Sequence, residues 1–198
     1  MGAKEGIMIV VLLGPPGVGK GTQAALAAEA HGWLHLSTGE LLRAQVAQKT
    51  DLGLQADDYM SKGDLVPDTL MVDMVAQHLE SVSLEKVVLL DGFPRTLVQA
   101  EALAEKVPSG SIALSLYFRA PNSELSSRLM GRGRADDTEE VVAHRLKVYH
   151  ETTSPLISWY QEKGILVEID ANRDISSIQT DFAHSVESTL KGFTQITG

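Results

Sequence analysis

The segment Gly14-Pro-Pro-Gly-Val-Gly-Lys-Gly-Thr22 constrains the fold of this chain more than any other. It follows the apolar run Ile7-Met-Ile-Val-Val-Leu-Leu13 and precedes Gln23-Ala-Ala-Leu-Ala-Ala-Glu-Ala30, which reads as a helix. A strand, a glycine-rich turn and a helix, in that order, are the context of a phosphate-binding loop. The glycines let backbone N–H groups converge on one concavity, and the helix N-terminus adds the positive end of its dipole. Lys20 reaches the outer phosphates as a point charge. Gly17, Val18, Gly19, Lys20, Gly21 and Thr22 are therefore the expected contacts to a nucleoside triphosphate. The competing reading is an ordinary turn rich in Gly and Pro, against which spacing, flanking strand and lysine argue together.

One detail narrows the class. In the common form of this loop the lysine is followed directly by Ser or Thr. Here Gly21 intervenes and the hydroxyl arrives at Thr22. That form resembles the loop of nucleoside monophosphate kinases and makes the usual hydroxyl contact to Mg²⁺ less secure.

The chain has 198 residues, 43% of them hydrophobic and 22% charged, which suits one main globular domain spanning 1–198. It contains no cysteine, so disulfides and thiolate zinc sites are excluded, and no zinc is expected. The six histidines show no metal-ligand spacing. No apolar run approaches membrane length and the N-terminus lacks a signal-peptide layout, so a cytoplasmic location and no membrane partner are expected. A net charge of −9 argues against nucleic-acid binding. Of eight arginines, four crowd into residues 128–145, a concentration suited to a small polyanion.

Residues 7–13, 33–36, 87–90, 112–118 and 165–169 read as strands, several of them continuous apolar runs, with helical patterns between. The alternation predicts an α/β fold: a mainly parallel five-stranded sheet with helices on both faces. An insertion over 37–67 predicts two or three short helices and a small subdomain, followed by a helix with Pro67 near its first turn. Asp137-Thr-Glu-Glu140 has the character of a capping box opening a long helix, and Pro155 predicts a kink or break in it. The last helix is expected from near Asp174 to Leu190, with 191–198 as a frayed tail.

The third strand ends in Asp91, placed to hold Mg²⁺ directly or through water; Asp91-Gly92 is also a common turn dipeptide. Arg95 follows the Gly92-Phe93-Pro94 turn at the same sheet edge, where a guanidinium fork binds phosphate bidentately. Gln99, one helical turn on, offers a donor and an acceptor to a base edge, although spacing alone favours a solvated helix residue.

Four motifs carry a resemblance over about residues 7–190. Gly14–Thr22, Ser37-Thr-Gly-Glu-Leu-Leu-Arg43, Asp91-Gly-Phe-Pro-Arg95 and Gly133-Arg-Ala-Asp-Asp137, in this order and at these distances, look like adenylate kinase. The resemblance implies a P-loop kinase that moves a phosphoryl group reversibly between MgATP and AMP, giving two ADP, as a monomer. It implies AMP contacts from Thr38, Arg43, Asp64, Leu65, Val66, Gly92, Phe93, Pro94, Arg95 and Gln99. Related UMP/CMP kinases typically carry Ala and Asn where this chain has Thr38 and Gln99, so those two positions favour AMP.

Arg128 and Arg132 are four apart, hence on one face if the helix runs that far, and Arg145 lies two turns beyond Asp137. The resemblance places Arg128, Arg132, Arg134 and Arg145 around the transferred phosphoryl group, where fixed cations offset the charge of the transition state. Arg134 and Arg145 also fall on the AMP side, Arg128 and Arg132 on the ATP side. The alternative is a solvated basic run. Arg173 lies where the family sets a backbone carbonyl against the ATP adenine. Only Gly133 separates Arg132 from Arg134, so a very short lid over about 131–137 is expected. A UMP/CMP kinase and a catalytically silent nucleotide-binding module are the rival readings.

Overall fold

A computed structural model describes residues 6–82, 87–131, 133–134 and 137–196. Five strands form one sheet: β1 (Met8–Leu13), β2 (Leu34–Ser37), β3 (Val87–Asp91), β4 (Ile112–Arg119) and β5 (Leu166–Asp170). Their order is β2-β3-β1-β4-β5, and every pairing is parallel. These are the five segments whose apolar runs predict strands, with ends that move by one residue.

β1 is buried along its whole length, and its alternation divides the core. Ile9, Val11 and Leu13 face α4 (Asp68–Ser81), α5 (Leu97–Lys106) and α8 (Pro155–Glu162), packing with Met71, Val75, Leu103 and Leu156. Met8, Val10 and Leu12 face α1 (Lys20–His31), α6 (Asn122–Gly131) and α9 (Ile175–Ile196), packing with Ala24, Leu125, Ile178 and Phe182. Helices therefore cover both faces, as a parallel sheet requires.

The chain leaves β1 for the edge strand β2, returns to β3 beside β1, and then crosses to β4 on the other side of β1. Strand order reverses at β1, so a crevice opens beyond the carboxyl end of that strand. Between β2 and β3, α2 (Thr38–Ala47) and α3 (Asp51–Lys62) precede α4. Ser37 caps α2 by accepting from Glu40 N, and Thr50 caps α3 by accepting from Gly53 N. Pro67 stands at the N-cap of α4, where its missing N–H costs nothing.

Two expectations need correction. The cap of α7 (Glu139–Val148) is Thr138, whose side chain accepts from Val141 N, not Asp137. Asp137 is buried and points elsewhere, because Arg145 recruits it. The last helix also runs on to Ile196. Phe193 continues the face of Ile178, Phe182, Val186 and Leu190 onto the core, which keeps the extra turn folded.

Pro155 interrupts the helical run as expected. α7 passes into a π turn, Tyr149–Thr153, and Pro155 then opens α8 at its first position. Among the described residues no helix is long and apolar enough to cross a membrane.

Candidate active site

The crevice at the carboxyl ends of the strands is a cavity of about 880 Å³. Its floor is the turn between β1 and α1. Gly17 in that turn has φ +84°, and a Cβ there would stand 2.7 Å from Leu129 Cγ, so the turn can lie against α6 only as glycine. Gly17, Val18, Gly19, Lys20, Gly21 and Thr22 all line the cavity. The Lys20 ammonium is held by the loop's own carbonyls, at 2.7 Å from Gly14 O and 3.1 Å from Pro15 O.

A second wall comes from α2 and the turn after β3. Thr38 is buried at the start of α2, and its hydroxyl donates to Asp91 O at 3.2 Å. Gly92 has φ +80°, and a Cβ on it would lie 2.7 Å from Thr38 Oγ1 and 3.2 Å from an Arg95 Nη, so this corner also requires glycine. Arg95 Nε donates to Gly92 O at 2.9 Å, which folds the guanidinium back over the turn. Thr153, in the π turn, donates to Arg95 O at 2.9 Å and fixes the turn from behind. Arg43, Asp64, Leu65, Val66, Pro94 and Gln99 complete this side. Phe93 does not line the cavity: it is 1% exposed, and its ring anchors the turn in the core below.

A third wall carries the expected arginines. Arg128 projects from α6 and donates to Ala171 O at 3.1 Å, tying the helix to the chain just past β5. Arg145 projects from α7 and pairs with the buried Asp137 carboxylate at 2.7 Å, while its second nitrogen reaches Met60 O at 3.3 Å. Arg134 lines the same space. Arg173 lines it too, but its guanidinium is engaged by Asp181 and by Asp170 O at 3.1 Å. Arg132 lies outside the described residues. Among the described lining residues, seven cationic side chains face three carboxylates, so a chain of net charge −9 presents a positive cavity suited to a polyanion.

Asp91 sits at the meeting point of the walls, its side chain 14% exposed. Burial disfavours its charge, but His35, Lys20 and Arg95 outweigh that and hold its carboxyl below the usual range. His35 Nε2 lies 3.5 Å from Asp91 Oδ2. Asp91 and Thr22 both line the cavity and offer hard oxygen donors. Among the described residues no cluster of three or more His, Cys, Asp or Glu builds a cage. One carboxylate and one hydroxyl suit Mg²⁺, which keeps most of its water and takes its remaining ligands from nucleotide phosphates.

His35, Thr153 and Asp68 shape this site, and the sequence reading misses them. Asp68 is visible locally only as an acidic residue in the first turn of α4. Its partners, Thr96 and Gln99, lie 28 and 31 positions away, a link that no local pattern signals.

Residues 12–165 match the family model described as adenylate kinase. An adenylate kinase of Trichodesmium erythraeum is 44% identical over 185 residues, covering 90% of this chain and 97% of that protein. One from Mycobacteroides abscessus is 46% identical over 183 residues, covering 91% of this chain and 98% of its own length. One from Prochlorococcus marinus is 46% identical over 183 residues, with 91% and 96% covered. The phosphate loop, the arginine-lined cavity and a match that runs nearly end to end agree: this chain belongs to the adenylate kinase family.

Proposed function

We propose that the chain transfers the terminal phosphoryl group of ATP to AMP, reversibly, giving two ADP, and so balances adenine nucleotides in the cytoplasm. The observation that carries this reading is one cavity lined both by a phosphate loop and by Arg43, Arg95 and Gln99. A simple ATP binder has no use for that second set of phosphate and base groups. One chain supplies both walls, so a monomer suffices.

The loop at 17–22 and Lys20 hold the donor phosphates. Arg43 and Arg95 hold the acceptor phosphate and aim its oxygen. Positioning of this kind converts a bimolecular encounter into a nearly unimolecular step. The transition state spreads charge over equatorial oxygens, and Lys20, Arg128, Arg132, Arg134 and Arg145 offset it with fixed cations. Asp137 keeps Arg145 aimed at the cavity. No side chain acts as a nucleophile, since the AMP phosphate attacks directly. Asp91, with Thr22, would orient hydrated Mg²⁺, which when bound neutralises charge shared by the two outer donor phosphates. Thr38, Leu65, Val66 and Gln99 select the acceptor base, and the main chain near Arg173 meets the donor adenine. The segment 37–67 and the lid expected over about 131–137, of which 132, 135 and 136 lie outside the described residues, would close over the nucleotides and exclude water as a rival acceptor.

A coupled assay with MgATP and each of AMP, GMP, CMP and UMP tests this. The expected result is efficient transfer to AMP alone. Preference for UMP would reject the base assignment, and tight ATP binding without transfer would reject the kinase.

A further inference from the structure

The Gln99 side chain is 1% exposed and lines the cavity, yet both ends of its amide are engaged by the protein. Its Oε1 accepts from Arg95 N at 2.7 Å. Its Nε2 donates to Asp68 Oδ1 at 2.8 Å. Each contact fixes the orientation independently, because a backbone N–H can only donate and a carboxylate can only accept. The same Asp68 oxygen accepts from the Thr96 hydroxyl at 3.1 Å, and Thr96 in turn accepts from Gln99 N at 3.2 Å. Asp68 therefore ties the start of α4 to the start of α5 and to the amide between them. It does not itself line the cavity.

We propose that Asp68 is a specificity-determining positioning residue: it locks the Gln99 amide so that its one remaining N–H faces the acceptor base as a donor. This rests on the reading that Gln99 meets that base. Gln99 Nε2 carries two hydrogens, and Asp68 takes one. A donor aimed at the base edge matches adenine, whose N1 accepts. It opposes hypoxanthine and guanine, whose N1–H donates. Without a carboxylate at 68 only the Arg95 N–H still holds the amide, its orientation is less strictly fixed, and the discrimination weakens. A site built to satisfy one hydrogen-bond polarity rejects the opposite one because a polar group is left unpaired.

The test is the ratio of kcat/KM for AMP to that for IMP, a quantity that does not depend on the fraction of enzyme folded. In Asp68→Asn the ratio is expected to fall about tenfold or more, through a rise in KM for AMP, with KM for ATP unchanged. Asp68→Glu, which restores an acceptor-only partner, is expected to recover part of it. The double variant Asp68→Asn with Gln99→Glu reverses the polarity of the pair. One oxygen of its new carboxylate accepts from Arg95 N and the other from the amide introduced at position 68. An acceptor is left toward the base, and the preference should shift toward IMP. An Asp68→Asn enzyme that keeps the wild-type ratio, while Gln99→Ala loses it, would overturn the role of Asp68. A ratio unchanged in Gln99→Ala would overturn the underlying reading of Gln99 and the proposal with it.

Discussion

Gly21 faces Asp91 so closely that a Cβ on it would lie 3.2 Å from the Asp91 carboxylate oxygen. This accounts for the glycine between Lys20 and Thr22. The first turn of α1 passes directly over the end of β3, and a Ser or Thr side chain there would crowd the one acid at the centre of the cavity. The hydroxyl is displaced by one position because the wall of the cavity is already occupied.

Gly21→Ala should therefore move Asp91 by a few tenths of an ångström without disturbing the sheet. Turnover is expected to fall about tenfold and the Mg²⁺ concentration for half-maximal rate to rise, while the melting temperature changes little. Steady-state rates over a Mg²⁺ series check this, and an unchanged Mg²⁺ dependence would show that Asp91 has room to spare.

Arg145 is aimed by a buried partner. Asp137 is 8% exposed, and its Oδ1 meets Arg145 Nη1 at 2.7 Å. Asp137→Asn keeps the shape but weakens a charge-assisted hydrogen bond, which should cost about 1–3 kcal/mol in urea unfolding. It should also lower kcat more than it raises either KM if, as proposed, Arg145 offsets charge in the transition state. A loss of stability with full kcat would mean that Arg145 is structural only.

The inserted helices depend on a backbone contact. A Cβ at Gly53 would stand 2.1 Å from Gln45 O and 2.6 Å from Val46 N, so α3 lies directly against the end of α2. Gly53→Ala must force the two helices apart, at about 1–3 kcal/mol or more. Hydrogen exchange should show the loss concentrated in residues 38–62, with the sheet protected as before. Uniform loss across the sheet would indicate that the insertion and the sheet unfold together.

The centre of the sheet is legible in the sequence because strands buried on both faces, such as β1 and most of β3, must be apolar throughout, whereas the edge strands β2 and β5 carry polar residues. The return of Arg145 to Asp137 is legible in their spacing of two helical turns, although Asp137 lies just before α7 and not on it. Other features depend on tertiary register. Asp137 reads as a cap because it precedes Thr138 and two glutamates, but capping needs only one of them, and Arg145 competes for the other. Phe193 reads as tail because nothing local says that the α9 stripe still has sheet beneath it. Asp68 and Gln99 meet only because α4 and α5 start side by side, a juxtaposition set by the path of the chain between β2 and β4.

One cavity is expected to hold donor and acceptor nucleotides together. Titration calorimetry with two adenosines joined through five phosphates tests it most directly. Linking the two nucleotides makes the second contact intramolecular, so the compound should bind once per chain and about 10²-fold or more tighter than ATP or AMP alone. It should compete with both nucleotides, and Arg43→Ala should remove most of that gain while leaving ATP affinity unchanged. Two molecules bound per chain, or an affinity no better than that of ATP, would contradict the two-nucleotide cavity.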